Sequence, residues 1–246
     1  MTYCVGLKLD EGIVLLSDTR TNAGIDDIAT YKKMFIFEEP NERIIAVLTA
    51  GNLSITQTTM SQVLEAIEYP TEDGLRSIED IPTMLGVVKL FGEALATNAN
   101  VLNEKFGETG ENNSACFIVG GQRKGGEMRL FLVYPEGNFI EATADTPFLQ
   151  IGETKYGKPI LDRVISSNMS LDEGRKALLV SMDSTLRSNL SVGLPLDLLV
   201  IKKDDLGSDG YERIEKGDQK FKEMGDIWSK SLKAVSYTHL TLPTKA

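Results

Sequence analysis

A threonine at position 2, an aspartate at 18 and a lysine at 33 are the residues of this chain whose types and spacing could do chemistry together. The initiating methionine is trimmed when the next residue is small, as Thr2 is, so the mature chain is expected to begin with threonine. Such a terminus carries a hydroxyl nucleophile and its own base, because a free α-amine of pKa about 7.7–8.0 is half neutral near physiological pH. Lys33, within TYKKMFIF, is long enough to bridge from a carboxylate to that hydroxyl. Oriented by the first, it can exchange a proton with the second.

No imidazole is needed, and the only histidine, His239, falls in a C-terminal string, VSYTHLTLPTKA, that has no period and breaks abruptly from the charged amphipathic segment before it. Back-translated, VSYTHLTLPT resembles a transposon-end adapter used in sequencing libraries, so residues 235–246 are read as a non-native tail and 1–234 as the domain. Without the tail a Ser-His-Asp triad, a Cys-His pair and a histidine zinc site are excluded, and no metal or cofactor is expected. Setting Lys245 aside leaves 25 basic residues against 36 acidic ones, a net charge of −11. A surface this acidic repels phosphate backbones and argues against nucleic acid.

The candidate residues need elements to hold them. Tyr3, Val5, Leu7 and Leu9 alternate with Thr2, Cys4, Gly6 and Lys8, which predicts a strand. Asp10-Glu11-Gly12 then reads as a three-residue hairpin loop before the strand IVLLSD. If Leu9 pairs with Ile13, Cys4 faces Asp18 and Thr2 faces Arg20. Thr2 and Asp18 then share a face as diagonal neighbours about 7–8 Å apart, and a one-residue slip would separate them. Further strands are expected at 33–37 and 43–48. A helix capped by Asn52 or Ser54 follows, then a second over 81–106 with its stripe Met84, Val87, Val88, Phe91, Leu95 and Leu102.

Strands recur at 114–120, 128–134, 139–142 and 148–152. Helices follow at 158–166 and, behind the capping box Ser170/Glu173, at 170–187. LPLDLLVIKKDDLG predicts one more buried strand, and 218–233 a closing amphipathic helix. Strands and helices come in runs rather than in βα alternation, which predicts an α+β fold in which helices cover both outer faces of two stacked sheets.

With 246 residues, 41% of them hydrophobic, the chain can bury one large core. It has no apolar run of about 18 residues and no charged, apolar leader, so no membrane association and a cytoplasmic location are expected. Cys4 and Cys116 are read as reduced, buried thiols. Gly120-Gly121 and Gly125-Gly126 flank a hairpin turn, not the strand-to-helix junction of a phosphate loop. Taken singly, Asp18 could merely end a strand, and Lys32 and Lys33 could be solvated surface.

Together the exposed threonine, the acid ending the second strand and the Lys-Lys pair resemble the N-terminal nucleophile hydrolases of the proteasome type, such as proteasome β subunits and HslV. MTYCVGLKLDEGIVLLSDTRTNAG, AVLTAGNLSITQ and IGETKYGKPILDR look most like the ancestral β-subunit group, Anbu, over residues 2–234. The resemblance implies a four-layer αββα sandwich with two antiparallel sheets between helix layers. It implies Thr2 as nucleophile, Asp18 as the acid that orients lysine, and Lys33 as the group lowering the hydroxyl's proton affinity. It further implies a peptide or protein substrate and self-association into a ring or ring-like oligomer, and it leaves open an ATP-dependent unfoldase. Arg20 and Thr21 then face substrate or are simply polar strand ends. Val47 and Thr49 fall in the stretch expected to meet substrate and hold the oxyanion, Val47 where the family usually has glycine.

The chain departs from the family at Gly152-Glu153-Thr154, where a serine is usual, and at Asn189 and Val192, which align with an aspartate and a serine. Ser191 stands one position from the latter and can substitute. Glu153, Asn189 and Ser191 would form the network around the threonine amine, and a nearby Glu153 would keep that amine protonated. The resemblance therefore implies a threonine-type peptidase, with an amidase on a small amide or isopeptide, or a weak or inactive scaffold, as the alternatives.

Overall fold

Period-two alternation at the start of the chain becomes β1 (Tyr3–Leu9) and β2 (Gly12–Asp18), the second and third strands of a five-stranded antiparallel sheet. β10 (Phe148–Gly152) flanks β1, while β11 (Leu196–Lys202) and β12 (Gly210–Ile214) continue beyond β2. The second five-stranded sheet runs in chain order through β5 (Met34–Glu39), β6 (Arg43–Gly51), β7 (Ala115–Arg123), β8 (Arg129–Val133) and β9 (Phe139–Glu141). A separate pair, β3 (Arg20–Asn22) with β4 (Ile28–Thr30), stands beside the end of β2. The structure, a computed structural model, describes residues 2–22, 28–71, 74–106 and 114–239.

The helices are α1 (Leu53–Glu68), α2 (Met84–Phe106), α3 (Lys158–Val164), α4 (Leu171–Ser188) and α5 (Gln219–Ala234). Asn52 caps α1, its side chain accepting from the Ser54 and Ile55 amides, and the expected Ser170/Glu173 box caps α4. α2 begins at Met84, the first residue of its apolar stripe and three residues later than the expected start, after a short 3-10 turn over Ile78–Asp80. β12 and the β3/β4 pair are too short and polar to stand out in sequence.

Apolar side chains sort into three layers, as a helix–sheet–sheet–helix sandwich requires. Cys4, Ile13, Leu15, Ile44, Leu48 and Leu130 fill the space between the sheets. Val47, Phe91, Phe117 and Phe131 lie between the second sheet and α1/α2. Tyr3, Val5, Leu16 and Leu178 lie between the first sheet and the opposite helices. The four-layer αββα expectation is met.

The β1–β2 register differs from expectation by one residue. Leu9 pairs with Gly12 and Cys4 with Ser17, so the loop is Asp10-Glu11 alone and Gly12 belongs to the strand. The cause lies in β11: Gly12 pairs with Lys202, and a Cβ there would sit 2.1 Å from the Ile201 carbonyl oxygen. Glycine is needed at this point both for close strand approach and for its φ of +154°. Cys4 is fully buried and Cys116 only half-buried, and both are free thiols, so the second thiol is less enclosed than expected.

Candidate active site

The one-residue slip separates Thr2 from Asp18 by strand parity, so the shared-face expectation fails. Asp18 reaches the chain start by another route. It ends β2 fully buried, and its Oδ1 accepts the Tyr3 N–H at 3.1 Å, one residue from Thr2. Its Oδ2 accepts the Gly193 N–H at 3.3 Å.

Lys33 precedes β5 and is 4% exposed, which excludes the solvated-surface reading; Lys32 beside it is exposed. The Lys33 Nζ donates to Asp18 Oδ1 at 2.8 Å and to the Arg20 carbonyl oxygen at 2.5 Å. An ammonium has three N–H groups, so a third remains for a hydroxyl. Burial pushes the Asp18 carboxyl up from its ordinary range, against the pull of the Lys33 ammonium and of the Tyr3 and Gly193 amides. Asp18 and Lys33 thus compensate each other's charge in a dry setting.

β6 brings the second sheet to the same place. The Cys4 thiol donates to the Thr49 carbonyl oxygen at 3.7 Å, tying the start of β1 to the end of β6 across the sandwich. Thr49 is buried, and its amide donates to the Lys33 carbonyl at 2.9 Å. It positions Lys33 and has no open face for a substrate. Val47 is fully buried against the helix-facing core, paired with Phe35 and Val119 in mid-sheet, so neither its side chain nor its amide borders open space. Both residues expected to meet substrate are thus buried.

Gly51, which sequence reasoning missed, lies two residues beyond Thr49 at the exposed end of β6. Along a strand, N–H groups two residues apart point the same way, about 7 Å on. The Thr49 amide points at Lys33, so the Gly51 amide points in that direction past the end of β5, at an exposed position with φ +109°. The signal was present as a glycine closing the strand just before the helix cap Asn52.

The α4–β11 connection clamps the remaining elements. Arg20, half-buried, donates from Nη1 to the Leu190 carbonyl at 2.9 Å. Its guanidinium lies so close to Gly193 that a Cβ there would meet Nε at 2.1 Å. Thr19 Oγ1 donates to the Pro195 carbonyl at 2.7 Å. Arg20 is thus engaged by the loop, while Thr21 stands half-buried on β3 opposite Ala29. Asn189 ends α4; its Nδ2 donates to Glu153 Oε2 at 2.9 Å and its Oδ1 accepts the Ser191 N–H at 2.9 Å. Val192 is buried in the core. Glu153 follows β10, and its N–H donates to the Thr2 carbonyl at 2.6 Å. Gly152 allows this approach: its φ is +82°, and a Cβ would stand 2.0 Å from the Thr2 carbonyl oxygen. Thr2, Asp18, Lys33, Glu153, Asn189 and Ser191 therefore gather at one end of the sandwich, and Thr2 is partly exposed there.

This geometry has counterparts among known proteins. No protein-family model matches the chain. A proteasome subunit beta 2 from Pyrobaculum calidifontis is 28% identical over 204 residues, covering 81% of this chain and 88% of its own length. Anbu (ancestral beta-subunit) from Yersinia bercovieri is 40% identical, with both chains covered in full and a TM-score of 0.91. An Anbu complex from Pseudomonas aeruginosa, described as a helical assembly, is 42% identical over 99% of each chain, with a TM-score of 0.90. Identity of this order over the whole length, on the same sandwich, establishes that the chain belongs to the Anbu family of proteasome-related proteins with the N-terminal nucleophile hydrolase fold.

Proposed function

We propose that the chain is a threonine-type peptidase whose nucleophile is Thr2, freed by removal of Met1. The observation that carries this reading is the buried Lys33–Asp18 pair at 2.8 Å, anchored to the backbone of Tyr3. The Thr2 Oγ attacks a peptide carbonyl carbon, and its proton passes to the leaving amine as the C–N bond breaks. Water then hydrolyses the resulting ester and regenerates the hydroxyl. Lys33 stabilises the developing alkoxide, and the Gly51 amide faces the oxyanion. Thr21 borders the substrate path.

In this reading residues 1–234 form one domain and 235–246 an appended tail. The protein works in the cytoplasm as a self-associated ring-like or helical assembly, by analogy with the P. aeruginosa complex. The test compares cleavage of unfolded polypeptides and of small amides by the wild type and by Thr2→Ala in equally assembled samples. Loss of about 1,000-fold or more in Thr2→Ala, with polypeptides preferred, supports the peptidase. Preference for small amides identifies an amidase, and equal background rates identify a scaffold.

A further inference from the structure

The Glu153 carboxylate is 4% exposed, and its two oxygens are treated differently. Oε2 accepts from Asn189 Nδ2, whose amide orientation is fixed because Oδ1 holds the Ser191 N–H. Oε1 is buried with no hydrogen-bond donor among the described residues. Lys155 Nζ lies 3.6 Å away, but its side chain is 74% exposed and solvent screens it. A buried carboxylate oxygen left in this state is costly and marks a site awaiting a cation. The backbone says which one, since the Glu153 N–H is bonded to the carbonyl of Thr2 itself.

We propose that Glu153, held by Asn189, receives the α-ammonium of Thr2 in a buried ion pair that forms only once Met1 is gone. The inference rests on the reading of Thr2 as the mature first residue. Hydrolysis of the Met1–Thr2 peptide bond by a methionine aminopeptidase consumes one water, releases methionine and leaves an amine that takes up a proton at neutral pH. Of the other described charged groups at this end, Asp18 and Lys33 are paired with each other and Arg20 donates to Leu190, while Lys155 meets Oε1 only as a loose, solvent-screened ion pair at 3.6 Å. The ammonium held by Glu153 donates and cannot accept, so the amine is a fixed cation and Lys33 alone tunes the hydroxyl. Glu153 is a positioning residue that sets which of two nitrogens near the nucleophile takes part in proton transfer.

The test is the pH dependence of acetic anhydride labelling at the α-amine of full-length protein, mapped to residue 2 by mass spectrometry. In the wild type the midpoint is expected at least about one pH unit above the free-amine value, so that labelling at pH 7 is roughly tenfold slower than for a free α-amine. Glu153→Gln restores fast labelling, whereas Glu153→Asp keeps most of the protection and guards against a folding artefact. A processed wild type that labels like Glu153→Gln overturns the inference while leaving Thr2 as nucleophile. A chain that retains Met1 overturns both.

Discussion

At the scale of single residues, the account turns on charges that have no water to fall back on. Lys33→Ala leaves the Asp18 carboxylate buried and uncompensated, and is expected to cost about 3–5 kcal/mol of stability as well as peptidase activity. The double variant Asp18→Asn/Lys33→Met, which removes both charges, recovers most of the stability in urea titrations and none of the activity. Tyr3 supplies a pH signature. Burial pushes its phenol up to about 12, opposed by hydrogen bonds with Ser181 and Gln150. The unfolded chain, with a phenol pKa near 10, therefore releases this proton first. The contribution is complete below about pH 10 and is lost as pH rises through about 12, a fall of up to about 3 kcal/mol that Tyr3→Phe removes. Urea midpoints at pH 9 and 11.5 measure it. That Thr2, Asp18 and Lys33 could act together was readable because the proposal rests on residue type and order, and the buried Lys33–Asp18 pair supports it. The burial of Val47 and Thr49 was not readable because a strand residue's surroundings depend on its phase in the sheet, which composition does not reveal. Gly51 escaped notice because the contribution proposed for it is a backbone direction.

At the scale of elements, two glycines do what sequence periodicity could not foretell. Gly12 brings β2 against β11 and shifts the hairpin by one residue, which undid the face-sharing argument for Thr2 and Asp18 while the Tyr3 amide still joined Asp18 to the chain start. Gly152 lets Glu153 fold over Thr2. Gly152→Ala forces a Cβ into the Thr2 carbonyl at a left-handed φ and is expected to displace the chain start. Activity should then fall further than the loss of several kcal/mol in stability explains, which denaturant titration and turnover on one sample separate. Asn52→Ala, which removes the α1 cap, should cost about 1 kcal/mol. The long strands and helices were readable from their apolar period. β3, β4 and β12 were not, because three to five mostly polar residues carry too little periodicity and owe their pairing to neighbours.

At the scale of the whole molecule, the sandwich places both sheet ends and the α4–β11 connection at one end, so the layers that make the core also assemble the candidate site. Val235 and Tyr237 are exposed, and residues 240–246 lie outside the described structure. Ending the chain after Ala234 should leave the melting temperature within about one degree, which calorimetry checks. The central claim is that the first mature residue is a threonine made nucleophilic by a buried lysine, and intact mass spectrometry after reaction with a threonine-directed electrophile tests it most directly. The account predicts a chain lacking Met1 and carrying one adduct on Thr2, absent from Lys33→Ala. A chain that keeps Met1, or an adduct that persists in Thr2→Ala, would contradict it.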